Sequence, residues 1–89
     1  MATTSIADMI RMKLDAGTLP LHAPIKLWAG IGTGEPCSGC EQPILESESE
    51  YEPQYDDVHP AIRFHAGCHN VWDELRQQRG RERPNAAAS

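Results

Sequence analysis

Three cysteines set the terms for this 89-residue chain: two residues separate Cys37 from Cys40, and two separate His65 from Cys68. In Cys37-Ser38-Gly39-Cys40 two thiols share a tight turn, where Gly39 lets the chain curl so that both sulfurs face one point. His65-Ala66-Gly67-Cys68, placed at a helix start, puts an imidazole and a thiol on one face. Together the pairs make four ligands of the types zinc prefers. A full tetrahedral set leaves no position for water, which marks a structural ion rather than a catalytic one. A lone Cys-x-x-Cys arises by chance. A matching His-x-x-Cys that uses the only remaining cysteine is hard to explain as inert buried thiols. His69 could compete for the fourth position, but the three-residue spacing of His65 and Cys68 mirrors the cysteine pair and favours His65. His22 and His59 lie beside prolines and read as exposed loop residues.

The need for such a centre follows from size. A chain this short buries about 60–65% of the surface its unfolded form exposes. Only 39% of its residues are hydrophobic and 6% aromatic, with seven Gly and seven Pro. A core of this scale supplies about 3–5 kcal/mol, whereas a structural zinc contributes on the order of 10–16 kcal/mol of apparent binding free energy. The ion is expected to dominate stability.

An odd cysteine count argues against a closed disulfide framework, and the N-terminus has neither the basic nor the long apolar region of a secretory signal. A reducing cytoplasm fits. The longest apolar run, around Ile25 to Ile31, is broken by Lys26 and Gly30 and falls short of the roughly 18 residues of a membrane span. Net charge is −5, which disfavours generic affinity for phosphate backbones. The charge is uneven: Glu46, Glu48, Glu50, Glu52, Asp56 and Asp57 crowd the middle, and Arg76, Arg79, Arg81 and Arg83 gather near the end.

The expected fold is a small α+β zinc-binding domain. Ser5 with Asp8 three residues on is a capping-box variant. Ile6, Met9, Ile10, Lys13 and Leu14 then recur at helical spacing, predicting a helix over 5–16 that ends at Gly17. Its stripe is too narrow to stand alone, so it docks on the zinc core or on a second subunit. Pro20 and Pro24 make an extended connector. The tetrad 25–28 forms a short strand or covers the core, and the glycines from Gly30 to Gly34 form a turn into the metal site. No Lys-Ser/Thr pair or helix follows them, so they are not read as a phosphate loop. Alternation of Glu46, Glu48, Glu50 and Glu52 with Ser47, Ser49 and Tyr51 predicts a strand with a solvated acidic face and Tyr51 and Tyr55 inward. Pro53 assigns that strand to a sheet edge. Turn residues 56–60 lead to a returning strand over 61–64. Cys68, Val71, Trp72 and Leu75 predict a helix over 66–79, ended by Gly80. The chain thus divides into a helix and proline-containing connector over 1–24, a zinc-binding domain over 25–80 and a disordered tail over 81–89.

Cys37-Ser-Gly-Cys40-Glu-Gln-Pro43-Ile44 followed by Phe64-His65-Ala-Gly-Cys68 resembles the first zinc finger of a LIM domain. The intervening stretch is longer than in that family and the second finger's cysteines are missing. Knuckle, hairpin and a helix whose first turn gives the second ligand pair is the plan of a treble-clef finger. The wider pattern of Gly32, Gly34, Tyr51-Glu52, Arg63-Phe64-His65 and Trp72 resembles a group of short uncharacterised bacterial proteins. That resemblance implies a bacterial cytosolic setting and brings no function with it.

Three functions are open to a chain of this kind. The favoured one is a non-enzymatic adaptor that binds another protein, because Trp28, Trp72, Tyr51, Tyr55 and Phe64, with Met9 and Met12, exceed what a thin core requires. Trp72 is expected in the core and Trp28 at an exposed contact. Nucleic-acid binding would use Arg63, Arg76, Arg79, Arg81 and Arg83, against the net charge and the interspersed Asp73, Glu74 and Glu82. An enzyme is least supported: Pro36-Cys37-Ser38-Gly39-Cys40 resembles half of the zinc deaminase signature, yet His22 is followed by Ala23-Pro24 where that signature needs His-x-Glu. No βαβ pattern surrounds the cysteines to suggest a thioredoxin-like pair.

Overall fold

A computed structural model describes residues 5–55 and 61–81. Helix α1, Ile6–Ala16, begins where the Ser5 hydroxyl accepts the Asp8 N–H at 3.1 Å. It ends where Gly17 turns left-handed at φ 79° and the Thr18 N–H bonds the Lys13 carbonyl at 2.9 Å. Both ends are thus satisfied as the sequence predicts. Ile10 and Leu14 are the buried part of the stripe. They pack within the chain itself: α1 lies against the second helix and over the cysteine turn. Lys13 Nζ reaches the Ser38 carbonyl at 2.9 Å and the Glu41 carboxylate at 2.8 Å.

Strands β1 (Lys26–Ile31), β2 (Ser49–Gln54) and β3 (Phe64–His65) form one antiparallel sheet in the order β1-β2-β3. Helix α2, Ala66–Arg81, follows β3 without a break. The expected strand over 61–64 shrinks to Phe64 and His65, and the expected turn over 56–60 lies outside the described residues.

Three expectations are corrected. The strand carrying Pro53 is central, not an edge. Gly32 N–H bonds the Glu48 carbonyl at 2.9 Å, so even-numbered residues of β2 turn their backbone groups toward β1 and odd ones toward β3. The donor missing at Pro53 thus falls past Tyr51, where β3 pairing stops. The acidic face is not uniformly solvated, because Glu50 is 7% exposed. Its carboxylate accepts the Thr33 N–H at 3.2 Å and hydroxyl at 2.9 Å, with the Arg63 guanidinium 3.9 Å away. Partners of this kind are what a buried charge requires. Helix α2 runs through Gly80 to Arg81, so Gly80 does not end it and Arg81 is helical rather than part of a tail; residues 82–89 lie outside the described ones.

The core joins Ile10, Leu14 and Leu19 to Ile44, Phe64, Trp72 and Leu75. Trp72, fully buried, stacks on Phe64 at 5.1 Å between centroids and donates its indole N–H to the Pro20 carbonyl at 3.1 Å. Asp15 and Arg79, 2.7 Å apart, tie the ends of the helices together. Strand β1 stands outside this core with all six residues exposed. It therefore forms a strand without covering the core, and it takes in Gly30 and Ile31 from the expected glycine turn. Among the described residues no helix is long and apolar enough to cross a membrane.

Gly32 is fixed by contact. A Cβ there would lie 2.0 Å from the Leu45 carbonyl oxygen and 2.6 Å from that of Ile44, whereas one at Gly30 would meet nothing within 4 Å. Gly32→Ala is expected to cost about 3 kcal/mol, while Gly30→Ala is expected to be neutral or to gain about 0.5–1 kcal/mol. Denaturant titration of the two variants beside the wild type measures both.

Candidate metal centre

The turn bearing the first cysteine pair is clamped from both sides. Pro36 and Pro43 form an isolated antiparallel bridge, Ile44 N–H bonds the Glu35 carbonyl at 2.9 Å, and Cys37 N–H bonds the Gln42 carbonyl at 2.8 Å. The turn closes with Glu41 N–H on the Cys37 carbonyl, and Glu41 takes the left-handed backbone at φ 69°. Gly39 is not the left-handed residue. A side chain there would stand 3.2 Å from Ile10 Cδ1 and 3.4 Å from Cys68 Cβ, so glycine serves the close approach of α1 and α2 to the turn.

The second pair is delivered by the junction of β3 and α2. Reciprocal bonds lock it to the first: Ser38 N–H to the Arg63 carbonyl at 2.7 Å, and Arg63 N–H to the Ser38 hydroxyl at 3.1 Å. One liganding atom from each of Cys37, Cys40, His65 and Cys68 lies within 4.8 Å of all the others. His65 Nδ1 is 3.4 Å from Cys40 Sγ and 3.9 Å from Cys68 Sγ. Zinc–sulfur bonds of about 2.3 Å and zinc–nitrogen bonds of about 2.0–2.1 Å make tetrahedral edges of about 3.6–3.8 Å. The four atoms are thus spaced to fit one small cation.

Hydrogen bonds prepare the same arrangement. His65 Nε2 is 3.2 Å from the Pro43 carbonyl, which can only accept, so Nε2 carries the proton and Nδ1 turns its lone pair to the sulfurs. Glu48 Oε1, 3.4 Å from Nε2, adds a carboxylate behind the imidazole. Such partners fix the tautomer of a metal-bound histidine. Burial alone would raise the Cys37 thiol, but the N–H groups of Cys40, His65 and Gly39, with the His65 ring, bring it down to about 7. Burial, and then the charge and hydrogen bonding of Cys37 and Cys40, push the Cys68 thiol up. For His65 burial is outweighed by Cys37, the Pro43 carbonyl and Glu48, and its pKa is raised. One thiolate therefore forms readily and the next is opposed by it. A cation is what lets all three ionise together.

His69, the competing ligand, lies outside the cluster. Its ring sits 5.1 Å from Tyr51 and 5.7 Å from Trp72, because one residue past Cys68 the helix has turned toward the aromatic core. His22 packs edge-on to Tyr55 at 4.6 Å, and His59 is outside the described residues. Ser38, Pro43, Glu48 and Lys13 support the site, a role that the sequence pattern alone does not give them. Ser38 sits between the cysteines, where a hydroxyl can bond a neighbouring backbone; the roles of Lys13, Pro43 and Glu48 depend on contacts 22 to 25 residues apart for Lys13 and Pro43 and on the loop before β2 for Glu48.

Two arginines of α2 are engaged: Arg76 pairs with Asp73 and lies over the Trp72 ring, and Arg79 pairs with Asp15.

No protein-family model matches this chain, and comparison with curated proteins and with solved structures gives no match.

Proposed function

We propose that this chain is a treble-clef-like, half-LIM-like module in which one structural Zn²⁺, held by Cys37, Cys40, His65 and Cys68, fixes a surface for binding another protein. The carrying observation is the convergence of four zinc-type ligand atoms within 4.8 Å. A soft thiolate-rich set with one imidazole is the kind of donor set that suits zinc among common divalent ions. The order of turn, antiparallel strands and helix supports the treble-clef comparison. Because four protein ligands leave no coordination position for substrate or water, no catalytic step is assigned. Three reduced thiols suit a bacterial cytoplasm.

The surface proposed for docking is β1. Its Trp28 is 55% exposed and its Ile31 74%, while Trp72, Phe64 and Tyr51 are used up by the core and by His69. An exposed Trp flanked by aliphatic residues is the composition of an interface anchor. Nucleic-acid binding is disfavoured because Arg76 and Arg79 are already paired with carboxylates on a chain of net charge −5. Capture of a protein from bacterial cytosol by the zinc-loaded chain, absent with Cys40→Ser and insensitive to nuclease, is the expected result. Capture that disappears with nuclease contradicts the reading.

Metal analysis of the purified chain is expected to give one zinc per molecule, retained in His69→Ala and lost in Cys40→Ser and His65→Ala. Chelation is expected to abolish the helical circular dichroism of α2, since zinc on the order of 10–16 kcal/mol outweighs the core. Zinc affinity falls with acid, because every ligand proton must leave on binding. The decline steepens as pH drops through about 7, where Cys37 regains its proton; His65, its pKa raised by Cys37, the Pro43 carbonyl and Glu48 against the effect of burial, also takes up a proton as the solution is acidified. Competition with a chromophoric chelator across pH measures the slope; an affinity indifferent to pH contradicts the ligand set.

A further inference from the structure

The outer edge of β1 has no neighbouring strand among the described residues. Lys26, Trp28 and Gly30 face Gln54, Glu52 and Glu50 in register, and the bond from Gly32 N–H to the Glu48 carbonyl fixes the parity of the ladder. Leu27, Ala29 and Ile31 therefore aim their N–H and C=O groups away from the sheet. None of the three enters another backbone hydrogen bond among the described residues. Natural edges are blunted by charge, proline or a bulge. From Leu27 to Ile31 this one has no charge and no proline, and its register with β2 is unbroken.

We infer that β1 pairs antiparallel with β1 of a second copy of this chain, about a twofold axis at Ala29. This rests on the reading that the folded chain presents β1 for docking, and it names the partner. Only registers that set outward groups against outward groups complete the hydrogen bonds. The one centred on Ala29 uses all three such residues within β1, with Leu27 opposite Ile31 of the other copy. It also sets Trp28 opposite Gly30. Gly30 has no positive φ and open space where its side chain would be, so its backbone does not call for glycine, and the gap receives the indole of the second copy. A twofold contact repeats each of these matches. The product is a six-stranded sheet ordered β3-β2-β1-β1-β2-β3, with the two metal centres toward its far ends.

Sedimentation velocity and residue-resolved amide exchange on the metal-loaded full chain test this. The expected result is a dimer in which the amides of Leu27, Ala29 and Ile31 exchange as slowly as those of Trp28 and Gly30. Ala29→Pro removes an outward donor and leaves the ladder to β2 intact; Gly30→Val fills the gap and suits a strand. Both are expected to keep the metal and the circular dichroism of the wild type yet sediment as monomers, with fast exchange at Leu27 and Ile31. A folded, metal-loaded wild-type monomer with fast exchange at all three outward amides overturns the inference, as does a dimer unaffected by both variants. If that monomer still captures a different protein and loses it with Gly30→Val, pairing between copies fails while the docking reading stands. Metal content read on the same samples separates loss of the fold from loss of pairing.

Discussion

Two turns of chain, 25 residues and more apart, converge on a single point, and the rest of this fold is arranged around keeping them there. Each of the reciprocal bonds between Ser38 and Arg63 stabilises by about 1 kcal/mol in net terms. They align the turns without securing them. The proposed zinc supplies the missing strength, because it neutralises thiolates that oppose one another when no cation is present. Helix α1 then closes over the assembled turn, with Ile10 against Gly39 and Lys13 bonded to Ser38 and Glu41.

This division of labour explains the lopsided use of apolar residues. The β2–β3 end of the sheet receives Phe64, Trp72 and α2, with α1 packed on α2; the other end, β1, holds Trp28, Leu27 and Ile31 in the open. A fold stabilised mainly by its core would draw such side chains inward. A fold stabilised by a metal is free to leave them for contact with a partner. The same economy appears at Glu50, where Thr33 and Arg63 satisfy a buried carboxylate beside the site.

Much of this was legible in the sequence where the signal is local. The caps at Ser5 and Gly17, the apolar spacing of α2 and the two ligand pairs depend on residues within a few positions of one another, and the structure forms them. His65 joins the cluster and His69 does not, because His69 is the immediate neighbour of Cys68 and one residue along a helix turns the side chain by about 100°, here toward Tyr51 and Trp72. What failed depended on neighbours distant in sequence. Pro53 signals an edge only if the sheet continues on its N–H side, and β3 stops short there. Alternating glutamates signal a wet face only if nothing opposite them hydrogen-bonds, and Thr33 and Arg63 do. Gly80 signals a helix end only when its backbone turns left-handed. Gly32 and Gly39 read as turn residues, yet Gly32 is required because the Leu45 backbone passes too close for a side chain, and Gly39 eases the close approach of Ile10 and Cys68.

The metal's identity and geometry are the claims from which the others follow, and X-ray absorption at the zinc edge tests both at once. The account predicts a four-coordinate shell of three sulfurs at about 2.3 Å and one nitrogen at about 2.0–2.1 Å. A shell of oxygen and nitrogen alone, or a folded chain purified without metal, would contradict it.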